Sequence, residues 1–161
     1  MLAPIALALN RLCLGLWAGA AAFFVFVAAP AAFAALKPDN AKAGDVVEAI
    51  LPRYYAAGFV LGGLALAGAF VSRPSWNSPA AYNVHVALLA AMLICLAVDW
   101  GWIWGKVHAL RADIPASGLE LGTALYRQFF MWHGISMVLN IAVLVATLAA
   151  VVVSLWPGQR S

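Results

Sequence analysis

The sequence predicts an all-α integral membrane protein, a four-helix bundle in which every helix spans the bilayer. Of its 161 residues, 66% are hydrophobic and 9% are charged, whereas soluble domains are about 45–50% apolar and about 25% charged. The apolar residues form four continuous runs, while a membrane barrel would need strands of alternating polarity. Because one span takes about 20 residues, we expect residues 1–161 to form a single four-span domain with short loops.

The four runs give four predicted spans, each long enough to cross a bilayer and nearly free of charge. Their approximate bounds are 12–36, 54–71, 82–104 and 128–156. The first run is longer than the apolar region of a signal peptide, and only Arg11 supplies charge upstream of it. We therefore expect a retained first span rather than a cleaved leader.

The connections between the spans differ in character. In chain order they are a turn at 37–40, an amphipathic segment at 41–53, a polar turn at 72–79 and a mixed segment at 105–127. In the first turn, Asp39 or Asn40 is positioned to cap the helix that follows. Residues 41–53 mix apolar and charged side chains, which is typical of a short interfacial helix leading into the second span. Because it contains Pro115, the last connection is expected to be a loop followed by an interfacial approach to the fourth span.

The charge distribution excludes nucleic-acid binding and predicts an orientation. The net charge is +3, and the nine basic residues are scattered rather than clustered. Those on the first and third connections are Lys37, Lys42, Arg53, Lys106, Arg111 and Arg127, and those on the other side are Arg11, Arg73 and Arg160. The positive-inside rule then places the first and third connections in the cytoplasm and both termini outside. We expect a bacterial inner (plasma) membrane as the location.

Small residues recur at helical spacing and predict close helix contacts. Gly15/Gly19, Gly58/Gly62 and Gly101/Gly105 are each four residues apart, the spacing that brings two membrane helices together. These pairs belong either to a compact bundle or to a dimerisation face. The two cysteines, Cys13 and Cys95, lie inside apolar runs, so no disulfide framework is expected.

Three ionisable side chains fall inside the predicted spans: His85, Asp99 and His133. Inserting such a group into hydrocarbon costs about 2.5–3.5 kcal/mol, which makes each one a candidate for function. Asp99 and His133 lie on antiparallel spans, both about 7–8 Å below the same surface at about 1.5 Å per residue. We expect them to form a ligand-binding or proton-coupling pair.

Polar and sulfur-containing residues extend this candidate site along both helices. The fourth span carries a stripe of His133, Ser136, Met137 and Asn140, and the third carries His85, Met92, Cys95 and Asp99 on one face. Tyr54, Tyr55 and Arg53 lie at or just above the depth of Asp99 and complete the candidate list.

These stripes fit more than one chemistry. Imidazole, thioether and thiol groups are ligands for a soft metal ion such as copper, with His133, Met137, Cys95 and Met92 as the candidates. A carboxylate beside an imidazole suits proton transfer instead. The alternative is structural, because Ser and Asn in membrane helices often only bond a neighbouring helix, and Met and Cys pack as apolar groups.

A haem held by two histidines is disfavoured. His85 lies near the opposite surface, about 20 Å from His133 along the bundle axis, so the two imidazoles cannot ligate one haem. A haem-binding redox protein is therefore the weakest of the functional alternatives.

Two stretches of the chain resemble a known family. The first contains Trp17-Ala-Gly19, Ala29-Pro30-Ala-Ala-Phe33, Ala43-Gly44 and Leu51-Pro52-Arg53-Tyr54-Tyr55, and the second runs Phe129-Phe-Met-Trp-His133-Gly134-Ile-Ser136-Met-Val-Leu-Asn140. Together they are similar to the small four-helix family of unknown function that includes the human transmembrane protein linked to cisplatin resistance. More distantly, they resemble copper-resistance-D-like membrane proteins. The resemblance implies a four-span bundle that transports or handles a metal or metallodrug, and it carries over His133, Ser136 and Asn140.

These observations predict a non-enzymatic multi-pass protein that binds or transports a small solute or a soft metal ion at an intramembrane Asp/His site. The alternative is a non-catalytic accessory subunit of a larger respiratory or photosynthetic membrane complex. In either case the expected partners are the lipid bilayer and either further copies of the chain or the subunits of such a complex.

Overall fold

Four long helical segments confirm the predicted all-α, four-span architecture. The computed structural model describes residues 2–37, 39–114 and 122–155. The segments long and apolar enough to cross a membrane are Leu2–Ala35, Ala41–Val71, Pro79–Ala112 and Ala124–Ser154, here called spans one to four. The chain is therefore an integral membrane protein in contact with lipid. The predicted residues Pro115, Trp156 and Arg160 lie outside the described residues.

Spans one and three are each interrupted by a π-helical turn. Span one consists of α1 (Leu2–Phe23), a π turn (Phe24–Ala28) and α2 (Ala29–Ala35), span two lies in α3 (Asn40–Val71), and a 3-10 turn (Arg73–Ser75) follows. Span three consists of α4 (Pro79–Val98), a π turn (Asp99–Ile103) and α5 (Trp104–Ala112), and span four is α6 (Ala124–Ser154). Such turns in long helices are frequent at functional sites.

A side-chain cap marks the start of each of three helices, α3, α4 and α6. Asp39 accepts a hydrogen bond from the Lys42 N–H at 3.0 Å, Ser78 accepts from Ala81, and Thr123 accepts from Tyr126. Each cap satisfies a backbone N–H that the first helical turn leaves free.

The bonds from the Lys42 backbone and ammonium lower the pKa of the Asp39 carboxyl below its usual value. Of the two predicted caps for α3, Asp39 is thus the one the structure shows capping.

Span one begins ten residues earlier than the sequence indicated, at Leu2 rather than at about residue 12. The two polar residues just ahead of the predicted start, Asn10 and Arg11, are paired inside the bundle. Asn10 donates to the Ala65 carbonyl at 2.6 Å, and the Arg11 guanidinium donates to the Ser154 carbonyl. Because both side chains find backbone acceptors on neighbouring spans, the helix continues through them.

The expected interfacial segment at 41–53 is helical and continues without a break into span two. The third connection is also shorter than predicted, because span three continues as helix to Ala112. Ion pairs join these two extensions. Arg111 contacts Asp45 at 2.6 Å and Glu48 at 3.1 Å, and His108 also pairs with Glu48. The predicted loop therefore begins as a helix tied to α3.

The spans form a ring in which each one contacts two neighbours. Span one packs against spans two and four, and span three packs against the same two. Two buried apolar clusters fill the interior. One includes Trp17, Tyr55 and Leu96, and the other includes Leu14 and Leu89.

The predicted glycine pairs have two different environments. A Cβ atom on Gly58 would lie 2.8 Å from the Trp17 ring, and one on Gly62 would lie 2.5 Å from the Met92 methyl carbon. Span two thus uses this pair for close helix packing. Among the other predicted pairs, an added Cβ would meet nothing within 4 Å at Gly15, Gly19, Gly101 and Gly105. Those four do not pack helices within this chain, and the dimerisation face stays a prediction for them.

Spans one and four separate at the end that carries the first and third connections. Span four packs against α1 but makes no comparable contact with residues 24–35, all of which the structure describes. No residue in residues 24–35 is buried, and the buried residues of α6 all lie from Val143 to Ser154. The bundle is therefore closed at one end and open along one side at the other.

A candidate polar site inside the membrane

The buried carboxyl group of Asp99 lies at the centre of the candidate site. Its side chain is 1% exposed. The Tyr55 hydroxyl donates to Asp99 Oδ2 at 2.7 Å, and the Asn140 amide donates to the same oxygen at 2.5 Å. The Asn140 amide also donates to the Ser136 carbonyl at 2.9 Å, which fixes its orientation. Spans two and four thus both bind the carboxyl group of span three.

Both π turns of the molecule lie at the level of this site. Asp99 is the first residue of the turn in span three, and it bonds Tyr55 of span two. Phe24 is the first residue of the turn in span one, and its ring stacks on Tyr54 at 4.8 Å between centroids. Since Tyr54 and Tyr55 are consecutive, the two irregular turns face the same layer of span two.

Several polar atoms in this layer are buried and make no hydrogen bond within the described chain. They are Asp99 Oδ1, Asn140 Oδ1, Tyr54 Oη and Trp17 Nε1. Each unmade hydrogen bond of a buried group costs about 1–3 kcal/mol. Native interiors leave few such groups, so four in one layer indicate a place where another molecule or ion supplies the missing partners.

Aromatic rings form one wall of the site. Tyr54 contacts the Trp17 ring at 4.8 Å and the Tyr55 ring at 5.5 Å, and Tyr55 stacks on Trp100 at 5.9 Å. Phe59 contacts Trp100 at 5.6 Å and extends the row. Aromatic faces beside a carboxyl group suit a cationic or flat polar ligand.

The predicted pairing of Asp99 with His133 is not a hydrogen bond. The imidazole lies close enough to interact electrostatically with the carboxyl group, but its side chain is exposed and stacks on Phe129 at 5.7 Å. The Ser136 hydroxyl lies beside both Tyr55 and Asp99. The direct partners of Asp99 are therefore Tyr55 and Asn140, and His133 lies at the edge of the site.

The sulfur atoms proposed as metal ligands are distributed over different parts of the bundle. Met92 is fully buried, and its sulfur accepts a hydrogen bond from the Thr147 hydroxyl at 3.1 Å. Met137 is 53% exposed, and Cys95 packs at the edge of an apolar cluster. Among the described residues, no group of three or more His, Cys, Asp or Glu side chains is arranged to hold a metal ion. The geometry thus gives no support to the soft-metal hypothesis.

Of the three consecutive candidates on span two, two belong to the site. Tyr54 and Tyr55 are buried there, whereas Arg53 is exposed and donates to the Ala49 carbonyl of its own helix at 2.9 Å. Trp17 and Phe24 also border the site, although the sequence argument did not select them. The only signal available for them was aromatic character at the depth of Tyr54, which is also common in ordinary packing.

His85 belongs to a separate region at the opposite end of the bundle. Its Nδ1 lies 3.1 Å from the Ala150 carbonyl, and its ring packs against Trp76 at 5.0 Å. Ala150 is 17 residues along α6 from His133, which at about 1.5 Å per residue separates the two histidines by about 25 Å. The long distance agrees with the expectation that the two do not share a haem.

Comparison with known proteins adds a family but no activity. The family model DUF4149, a domain of unknown function, matches residues 12–116. An uncharacterized protein of Aquifex aeolicus (strain VF5) is 30% identical over 140 residues, covering 87% of this chain and 89% of that protein. No solved structure matches the chain. The narrower resemblance to the cisplatin-linked family stays a prediction.

Proposed function

We propose that this chain, which belongs to the DUF4149 family, binds and transports a small solute that donates hydrogen bonds, at the polar site centred on Asp99. The observation that supports this proposal is the asymmetry of the carboxyl group. Asp99 Oδ2 accepts two hydrogen bonds, while Oδ1 is buried and accepts none within the described chain. A solute that donates to Oδ1 would complete the site.

The other free atoms define what the solute must offer. Asn140 Oδ1 is an acceptor, and the Tyr54 hydroxyl can donate or accept. Together with Asp99 Oδ1 they favour a solute with two or more donor groups. The bonds that Tyr55 and Asn140 make to Oδ2 hold the carboxyl group in place before the solute arrives, so little ordering is needed on binding.

The separation of spans one and four supports a route to the site. Residues 24–35 make no extensive contact with span four, and residues 124–142, on the facing half of α6, are not buried. Phe24 borders both this opening and the site through its contact with Tyr54. A small movement of the irregular turn at Phe24 would connect the opening to Asp99.

The first test is a ligand screen on the purified full-length protein in detergent. Wild type and Asp99→Asn are heated with chloride salts of mono- and divalent cations, amines, amino acids, amides and polyols. We expect at least one compound to raise the melting temperature of wild type by several degrees. The same compound should leave the melting temperature of Asp99→Asn unchanged. The matched control is Asp113→Asn, which removes an exposed carboxylate outside the site. If no compound distinguishes wild type from Asp99→Asn, the proposal is wrong.

A structural role as an accessory subunit is the second candidate function. The observation that favours it is the exposed position of Gly15 and Gly19 on span one and of Gly101 and Gly105 on span three, where no other part of the described chain lies within 4 Å of an added Cβ. Small residues on an outer face allow another helix to pack closely. Native mass spectrometry of the protein extracted in mild detergent tests this role. The role predicts a partner protein bound in a fixed ratio, and Gly15→Leu and Gly101→Leu should each release that partner.

A further inference from the structure

We propose that the occupant of the Asp99 site is a monovalent cation bound by oxygen atoms, either a sodium ion or the ammonium group of a small amine. This inference rests on the proposed function and specifies its ligand. It follows from three properties of the site: the element that the free donor atoms belong to, the formal charge of the site, and the aromatic wall beside it.

The free polar atoms that could coordinate a cation are all oxygens. Asp99 Oδ1, Asn140 Oδ1 and Tyr54 Oη are buried and make no hydrogen bond within the described chain. Hard cations and ammonium groups bind oxygen, whereas copper and other soft ions select sulfur. One thioether candidate, Met92, already accepts a hydrogen bond from Thr147. The donor set therefore selects against the soft metal that the sequence alone suggested.

The formal charge of the site selects a single positive charge. When Asp99 is ionised it carries one negative charge in a membrane interior, and a buried charge must be paired. No lysine or arginine forms an ion pair with it in the described part of the chain. A monovalent cation would make the site neutral, while a divalent one would leave a net positive charge in hydrocarbon. Calcium also takes about six to eight oxygens, and its sites normally include several carboxylates.

Aromatic rings border the free oxygens. The Tyr54 ring, whose hydroxyl is one of the free oxygens, is flanked by Trp17 at 4.8 Å and Phe24 at 4.8 Å. The faces of Trp and Tyr attract cations by about 0.5–2 kcal/mol. An ammonium group or a partly hydrated sodium ion would thus be bound by oxygens at the edge of an aromatic cluster.

The test measures binding of radiolabelled sodium and radiolabelled methylammonium to the full-length protein in detergent, using choline chloride buffer. We expect saturable binding of at least one of the two by wild type. Asp99→Asn should weaken binding by about 10- to 100-fold, since a buried charge-assisted contact is lost. Asp113→Asn should bind as wild type does. Tyr54→Phe should weaken binding by about 5- to 10-fold, because it removes one oxygen and keeps the ring.

Competition identifies the ligand class, and unlabelled calcium and copper(I) should not displace the bound cation. Displacement by copper(I) at an equal concentration would overturn the inference. It would also be overturned if neither cation bound while a neutral compound stabilised wild type but not Asp99→Asn, and in that case the proposed function would stand. An infrared band of a protonated carboxyl group, present in wild type with sodium and absent in Asp99→Asn, would show that a proton occupies the site and would exclude a cation.

Discussion

At the scale of residues, the two oxygens of Asp99 differ in their hydrogen bonding, and this difference defines the candidate site. Oδ2 accepts from Tyr55 and Asn140, while Oδ1 has no partner within the described chain. The adjacent tyrosines differ in the same way, because the Tyr55 hydroxyl is bonded and the Tyr54 hydroxyl is not. Tyr55 therefore positions the carboxyl group, and Tyr54 is available to a ligand.

This contrast predicts different costs for two matched substitutions. Tyr55→Phe removes a hydrogen bond to a buried carboxyl group and should destabilise the protein by about 1.5–3 kcal/mol. Tyr54→Phe removes a buried hydroxyl that has no partner and should be neutral or slightly stabilising. Thermal unfolding in detergent and choline buffer measures both. Equal costs for the two variants would contradict the assignment of the carboxyl partner.

At the scale of elements, span two is the helix whose glycines let spans one and three pack closely against it. Gly58 faces the Trp17 ring, and Gly62 faces Met92 and Leu93. Because these glycines have no side chain, span one and span three can place large residues against the backbone of span two. The resulting contact holds Trp17 beside Tyr54 and so helps to shape the site.

Glycine substitutions on span two therefore have position-dependent effects. A Cβ on Gly58 would lie 2.8 Å from the rigid Trp17 ring, so Gly58→Ala should cost about 1–3 kcal/mol through overpacking. Gly63 lies five residues further along the helix, with nothing within 4 Å of an added Cβ. Gly63→Ala should be neutral or stabilising by up to about 1 kcal/mol, since alanine favours the helix. The melting temperatures of the two variants test this difference. A loss of stability in Gly63→Ala as large as in Gly58→Ala would be inconsistent with this packing.

At the scale of the whole molecule, the ring of four spans is closed at the end that carries the termini and open on one side at the other. Arg11 of span one donates to the Ser154 carbonyl near the end of span four, and Asn10 donates to the Ala65 carbonyl of span two. At the other end, residues 24–35 diverge from span four. The polar site lies at the level where this divergence begins.

The closure at Arg11 predicts a further difference between matched substitutions. Arg11→Gln removes a charge-assisted bond between two spans and should destabilise the bundle by about 1.5–3 kcal/mol. Arg53→Gln removes a bond that Arg53 makes within its own helix, on the exposed surface, and should change stability by less than about 0.5 kcal/mol. Thermal unfolding in one detergent compares them. A negligible effect of Arg11→Gln would show that this bond does not close the ring.

Part of the site could be predicted from sequence, and part could not. Asp99 was identified because a carboxyl group in an apolar run is costly, and Asn140 because it follows Ser136 at helical spacing. Which residue of span four bonds to Asp99 was not predictable. His133 and Asn140 lie two turns apart on the same span, and only packing decides which one faces Asp99. The ion pairs between Arg111 and Asp45 or Glu48 join residues more than 60 positions apart, a pairing that one sequence does not encode locally.

The sequence by itself determined the fold class and the number of spans and located a carboxyl group, Asp99, inside the third apolar run, because these depend on hydropathy and on the length of helix that crosses a bilayer. Only the tertiary structure decided the lengths of the helices, since Asn10 and Arg11 are admitted into span one by carbonyls of other spans. It also decided the chemistry of the site. The rotation of each helix in the bundle leaves oxygens free beside Asp99 and places the sulfur of Met92 against Thr147, and that rotation depends on contacts among all four spans.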